Sequence, residues 1–169
     1  PTSLREAAAQ AQAHCGGDLQ QAVRLAEANA ARLARANKLG PLSEMEAAVV
    51  HLYSQETPLY SRVNAALGGY GDGGRDALPC YFPFIKLFRS ALLKLPPLGK
   101  RVVYRGVRLP RQTLIRGAIV GTKLTWWGFT STSLSADALQ NKSFLGAGAA
   151  GAVGVGERTV FQICSTGGR

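Results

Sequence analysis

At 169 residues, 46% of them apolar, the chain is long enough for one well-filled core and too apolar for wholesale disorder. No apolar run approaches the roughly 20 residues a membrane helix needs, and the first residues lack the charged-then-apolar layout of a secretory leader. Twenty Lys and Arg against ten Asp and Glu leave a net charge of +10, which favours anionic partners such as phosphates, nucleotides, nucleic acid or an acidic membrane surface; the excess is spread along the chain and selects none of them.

Residues 1–17 are rich in Ala and Gln and read as a further helix or a frayed arm. Asp18 with Gln21 has the pattern of a capping box, and Leu19, Val23, Ala26, Ala30 and Leu33 then recur at helical spacing up to Gly40-Pro41. Residues 1–40 are therefore expected to form a helical arm or linker ahead of a domain over 41–169. Ser43 with Glu46 is a second capping box, with Met45, Val49, Leu52 and Tyr53 on one face of the helix that follows. Thr57-Pro58 opens a third helix, with Tyr60, Val63 and Leu67 as its buried stripe, and the glycine- and aspartate-rich residues 68–76 form a loop. From Tyr81 to Leu95 the residues Phe84, Leu87, Phe88, Ala91, Leu92 and Leu95 keep helical period until Pro96-Pro97, and this helix is expected to pack on a sheet.

After Pro97 the character changes. Val102-Val103-Tyr104 and Lys123 to Phe129 are β-branched and aromatic, and Arg158 to Cys164 alternates, with Thr159, Phe161 and Ile163 on one face. Ser135 caps an expected short helix through Phe144. A helical half before a strand-rich half is the order of an α+β domain, not of alternating βαβ units. The chain stops at Arg169, just beyond a well-patterned strand with none to follow, and reads as truncated or as one piece of a cleaved protein.

Several chemistries are excluded by context. Gly146-Ala147-Gly148-Ala149-Ala150-Gly151 matches the dinucleotide-binding string, but that motif must lead from a strand into a helix; here it follows an expected helix and leads into a strand, so residues 146–156 read as a loop. No P-loop string and no nucleophile elbow occurs, and His14 and His51 are too isolated for a triad or a metal site. Cys15, Cys80 and Cys164 form no C-x-x-C pair, so buried free thiols are the expected state.

What stands out is a string in three parts: Tyr104-Arg105-Gly106; then Trp126-Trp127-Gly128-Phe129-Thr130-Ser131-Thr132-Ser133; then Ser143-Phe144-Leu145-Gly146. At these residues the sequence resembles the arginine-specific mono-ADP-ribosyltransferases, the clade marked by Arg, Ser-Thr-Ser and Glu-x-Glu motifs. The resemblance extends through residues 54–60 and Tyr81-Phe82-Pro83-Phe84, from about Glu44 onward. No Glu-x-Glu follows Ser133 in this sequence. The resemblance implies a helical half packed on a mainly antiparallel β core to form an NAD cleft, with NAD as substrate and an acceptor protein bearing an exposed arginine as partner.

It also implies roles. Arg105 would offer its fork of donors to the NAD phosphates, and Gly106 would bring the main chain close to the nicotinamide amide. Ser131 would hold the catalytic glutamate through its hydroxyl. Phe144 falls where the family stacks a phenylalanine on the nicotinamide ring, with core packing as its alternative. Trp126 and Trp127 are expected to brace the strand that carries Ser131. The rival readings are a catalytically inactive NAD- or protein-binding module on the same fold and, from charge alone, a nucleic-acid-binding domain. The last ranks lowest because the aromatics read as helix core and are not interleaved with Lys and Arg.

Overall fold

The computed structural model describes residues 3–107, 114–115, 119–140 and 158–167. The architecture is α+β: among the described residues, five helices and one antiparallel pair of strands. They fall into a helical unit, which runs to Pro96 and includes Trp126–Phe129, and a strand unit made of the rest. None of the described helices is long and apolar enough to cross a membrane.

In the helical unit, α1 (Leu4–Cys15) opens on a capping box in which the Ser3 hydroxyl accepts from the Glu6 amide at 3.2 Å and the Glu6 carboxylate accepts from the Ser3 amide at 2.8 Å. Its buried face is almost all alanine, Ala7, Ala8 and Ala11 between Leu4 and Cys15, and small side chains let neighbouring helices approach closely. α2 (Gln20–Arg35) buries Val23, Ala26 and Ala30 as its spacing predicts. Its expected capping box does not form: the Asp18 carboxylate accepts from the Gln20 amide at 2.8 Å, Leu19 takes the cap position, and the Leu19 amide is satisfied by Gln12 Oε1 at 3.1 Å. Aspartate bonding two residues on is an Asx turn, which competes with capping. Both helices share one apolar cluster with α3–α5, so the expected boundary at residue 40 lies inside a packed unit.

The box at Ser43 does form, and it opens α3 (Glu44–Ser54), where Val49 and Leu52 are fully buried while Met45 turns out to solvent. α4 (Pro58–Gly68) has proline at its first position, where a missing amide costs nothing, and ends on Gly69 in the left-handed region at φ 74°. Its buried stripe is Leu59, Val63 and Ala66 instead of the expected Tyr60, Val63 and Leu67; a rotation of one residue leaves Tyr60 exposed, edge-on to Tyr53.

α5 (Leu78–Lys94) starts three residues earlier than its periodicity indicates, because Pro79 is harmless in a first turn. Pro83 lies deeper, where it removes the amide that would bond the Pro79 carbonyl. That carbonyl instead accepts from Gln10 Nε2 of α1 at 3.4 Å. Tyr81, Phe84, Phe88 and Ala91 form the buried face of α5, and they pack against α1, α3 and α4, where a sheet had been expected. Burying each of these rings contributes roughly 1.5–3 kcal/mol, and Tyr53, Phe84 and Phe88 stack on one another, with centroids of Tyr53 and Phe88 4.4 Å apart.

In the strand unit, β1 (Arg101–Val107) pairs antiparallel with β2 (Thr159–Ser165), in register from Arg101 opposite Ser165 to Val107 opposite Thr159. The partner of β2 thus precedes it in the chain. Thr159, Phe161 and Ile163 are half-buried on one face of β2 and the residues between them are exposed, the alternation that the sequence predicts. Leu139, in the 3-10 turn Asp137–Gln140, and Val103 of β1 are buried. The turn stands where a helix starting at Ser135 is expected, and the Ser135 hydroxyl accepts from the Asp137 amide at 3.2 Å. Phe144 and the expected loop 146–156 lie outside the described residues.

Candidate functional site

Alternation along β1 decides what each of its residues offers. The Tyr104 amide and carbonyl both bond Ser133, at 2.8 Å each, on the edge of β1 away from β2. Main-chain groups in an antiparallel strand point to alternate edges, so the Gly106 amide and carbonyl face the same edge as those of Tyr104. By that alternation Gly106, opposite Val160 in the register, falls between the hydrogen-bonded pairs of β1 and β2. A donor and an acceptor from one residue are therefore directed to the edge along which residues 131–133 run.

Arg105, between them, donates from Nη1 to the Ser131 carbonyl at 3.0 Å. The arginine and serine motifs, 26 residues apart, meet here. Ser131 is exposed, and its hydroxyl makes no hydrogen bond among the described residues. The structure thus brings Arg105 and Ser131 into contact, with Gly106 next to Arg105 in β1.

The expected strand over Lys123–Phe129 is not formed; apart from a bend at Gly128 the segment is irregular. Its aromatic residues serve a different purpose. Phe129 inserts edge-on against Tyr53 and Phe88, with centroid distances of 5.8 and 4.8 Å. The Phe129 amide donates to Asn64 Oδ1 at 2.8 Å, Asn64 Nδ2 donates to the Tyr53 hydroxyl at 2.9 Å, and that hydroxyl donates to the Phe129 carbonyl at 3.5 Å. Gly128 lies so close to Asn64 that an added Cβ would stand 2.9 Å from Oδ1. The tryptophans, expected as braces, are 44% exposed at Trp126 and 63% at Trp127, and the Arg75 guanidinium sits 5.3 Å from the Trp127 ring centroid. Sequence reading missed Asn64 and Arg75, whose only local signals are a polar residue inside an apolar helix and a basic residue in a glycine-rich loop.

One Glu-x-Glu string does occur, Glu44-Met45-Glu46, and its second glutamate is structural. Glu46 is 7% exposed; it accepts from the Ser43 amide at 2.8 Å, from Lys94 Nζ at 2.8 Å and from the Ser90 hydroxyl at 3.3 Å. Lys94, above all, lowers its carboxyl pKa to about 2. A carboxylate so engaged is a helix cap and ion pair, not a base for an incoming substrate.

Elsewhere the helical unit has a groove of about 600 Å³ beside α1 and the start of α2, floored by Ala8, Leu19 and Val23, and a smaller cavity of about 330 Å³ lined by His14, Arg62, Asp72, Cys80 and Tyr81. Cys15 is buried, and burial pushes its thiol pKa up, whereas Cys80 is half-buried and Cys164 exposed, so the expected burial holds for one thiol of three. No cluster of His, Cys, Asp and Glu among the described residues is arranged to hold a metal ion. A scan of protein-family models and searches of curated proteins and of solved structures found no match to this chain.

Proposed function

We propose that this chain carries the NAD-binding part of a protein-arginine ADP-ribosyltransferase domain. The observation that supports the reading best is the 3.0 Å bond from Arg105 to the Ser131 carbonyl, because it unites two motifs that the resemblance assigns to one site. In this reading the Arg105 guanidinium, charged at any working pH, presents its fork of donors to the pyrophosphate oxygens of NAD. The Gly106 amide and carbonyl match the acceptor and donor of a primary carboxamide, which is the group the nicotinamide ring carries.

The reaction breaks the bond between ribose C1′ and the nicotinamide nitrogen, with the electron pair leaving on nicotinamide through an oxocarbenium-like state. A guanidinium nitrogen of the acceptor arginine then bonds to C1′ and gives up one proton. Ser131 contributes by orientation: its hydroxyl holds a glutamate that stabilises the cation. Glu46 does not fill that role, given its partners.

The test is NAD titration of the full-length protein followed by transfer to an arginine analogue. Saturable binding with transfer supports the reading. Binding without transfer favours the inactive module, and the absence of NAD binding rejects both.

A further inference from the structure

The triad of Asn64, Tyr53 and Phe129 has more fixed geometry than packing alone requires. Asn64 lies within α4, and its carboxamide is fully engaged in two directions: Oδ1 takes the Phe129 amide at 2.8 Å and Nδ2 gives to the Tyr53 hydroxyl at 2.9 Å. Tyr53 in turn reaches the Phe129 carbonyl, so both main-chain groups of Phe129 are held by side chains of α3 and α4. The Phe129 ring is seated between Tyr53 and Phe88, and Gly128 is the residue that leaves room for the Asn64 amide. Tethered at both ends, that amide cannot swing aside for a Cβ at 2.9 Å. One residue, Thr130, separates this clamp from Ser131.

The geometry points to Asn64 as a positioning residue for the Ser-Thr-Ser segment: by fixing the peptide at Phe129 it limits where the main chain can carry the Ser131 carbonyl and hydroxyl. Asn64 acts through Phe129 and touches no substrate. The consequence for turnover rests on the NAD reading above; the consequence for main-chain order does not. Losing a hydrogen bond of this kind is worth about 1–1.5 kcal/mol, which corresponds to about a tenfold change in an opening equilibrium.

The experiment compares wild type, Asn64→Leu, Asn64→Asp and Gly128→Ala in the full-length protein, by amide hydrogen exchange and by transfer kinetics. Asn64→Leu is close in size and lacks both polar atoms; Asn64→Asp keeps the acceptor for the Phe129 amide but can accept from Tyr53 only by taking the proton that the hydroxyl gives to the Phe129 carbonyl. Expected for Asn64→Leu and Gly128→Ala is about tenfold faster exchange at residues 129–133 with α3 and α5 protection unchanged. For the same variants kcat falls while KM for NAD stays within about threefold of wild type. Asn64→Asp, which keeps the bond to the Phe129 amide and gives up one of the two Tyr53 bonds, recovers part of both properties. Unchanged exchange at residues 129–133 in Asn64→Leu overturns the inference, as does faster exchange with an undiminished kcat. A wild-type protein that transfers nothing contradicts the NAD reading, and the exchange comparison alone then decides the clamp.

Discussion

A single arginine illustrates how one side chain links two parts of a motif. Arg105 holds the Ser131 carbonyl with one nitrogen of a planar fork, and a point charge on a flexible stem does not reproduce that geometry. Arg105→Ala is therefore expected to weaken NAD binding by about 10- to 100-fold, the equivalent of losing charge-assisted hydrogen bonds worth about 1.5–3 kcal/mol. Arg105→Lys should recover little of it, as calorimetric titration of both variants will reveal. Ser131→Ala, by contrast, removes the hydroxyl proposed to orient the catalytic glutamate and leaves the Ser131 carbonyl that Arg105 holds, so NAD affinity is expected to hold while transfer falls. Glu46 gives a residue-scale prediction about stability. Its folded pKa of about 2 is below its unfolded value, so its contribution is complete above the ordinary carboxylate range and is lost as pH falls toward 2. Because Lys94 is about half exposed, the contribution is about 1–2 kcal/mol after allowance for screening. Denaturant titrations should show Glu46→Gln destabilised by that amount at pH 7 and converging on wild type near pH 2.

Among the elements, those readable from sequence are the ones whose neighbours lie close along the chain. Capping boxes at Ser43 and the stripe of Leu19, Val23, Ala26 and Ala30 are local signals, and the alternation of β2 is visible in seven residues. The candidate site was suggested by the combined string and its resemblance and not by either segment alone, since an arginine at the end of a β-branched run and a hydroxyl-rich run from Thr130 to Ser133 are each ordinary surface features. The segment 123–129 was not legible, because Trp126, Trp127 and Phe129 have strand propensity and nothing local says that Phe129 will be held by Tyr53, Asn64 and Phe88. Tertiary partners overrode propensity there. The same holds for α4, where a one-residue rotation exchanged Tyr60 for Leu59 because both fit a helical stripe. Phe88 stacks on Tyr53 and meets Phe129 edge-on, so Phe88→Ala should cost about 3–5 kcal/mol in global unfolding and loosen α3, α5 and residue 129 together. An equilibrium unfolding curve for that variant checks the figure. Ser43→Ala removes a single cap and is expected to cost about 1 kcal/mol.

For the whole molecule, a net charge of +10 and a basic residue at the meeting of two motifs agree with an anionic ligand but do not identify it. Ionic strength separates the alternatives. A surface held only by scattered charge loses affinity steeply as salt rises and discriminates poorly among polyanions. A site that uses the Arg105 fork and the Gly106 main chain should instead prefer NAD to an equally charged nucleotide that lacks the carboxamide. The proposal that Arg105, Gly106 and Ser131 form one NAD site is decided by calorimetric NAD titration of wild type and Arg105→Ala in the full-length protein. Saturable binding by wild type, weakened by at least about tenfold in the variant, is expected. Equal affinity in the two proteins, or no binding by wild type, would contradict it.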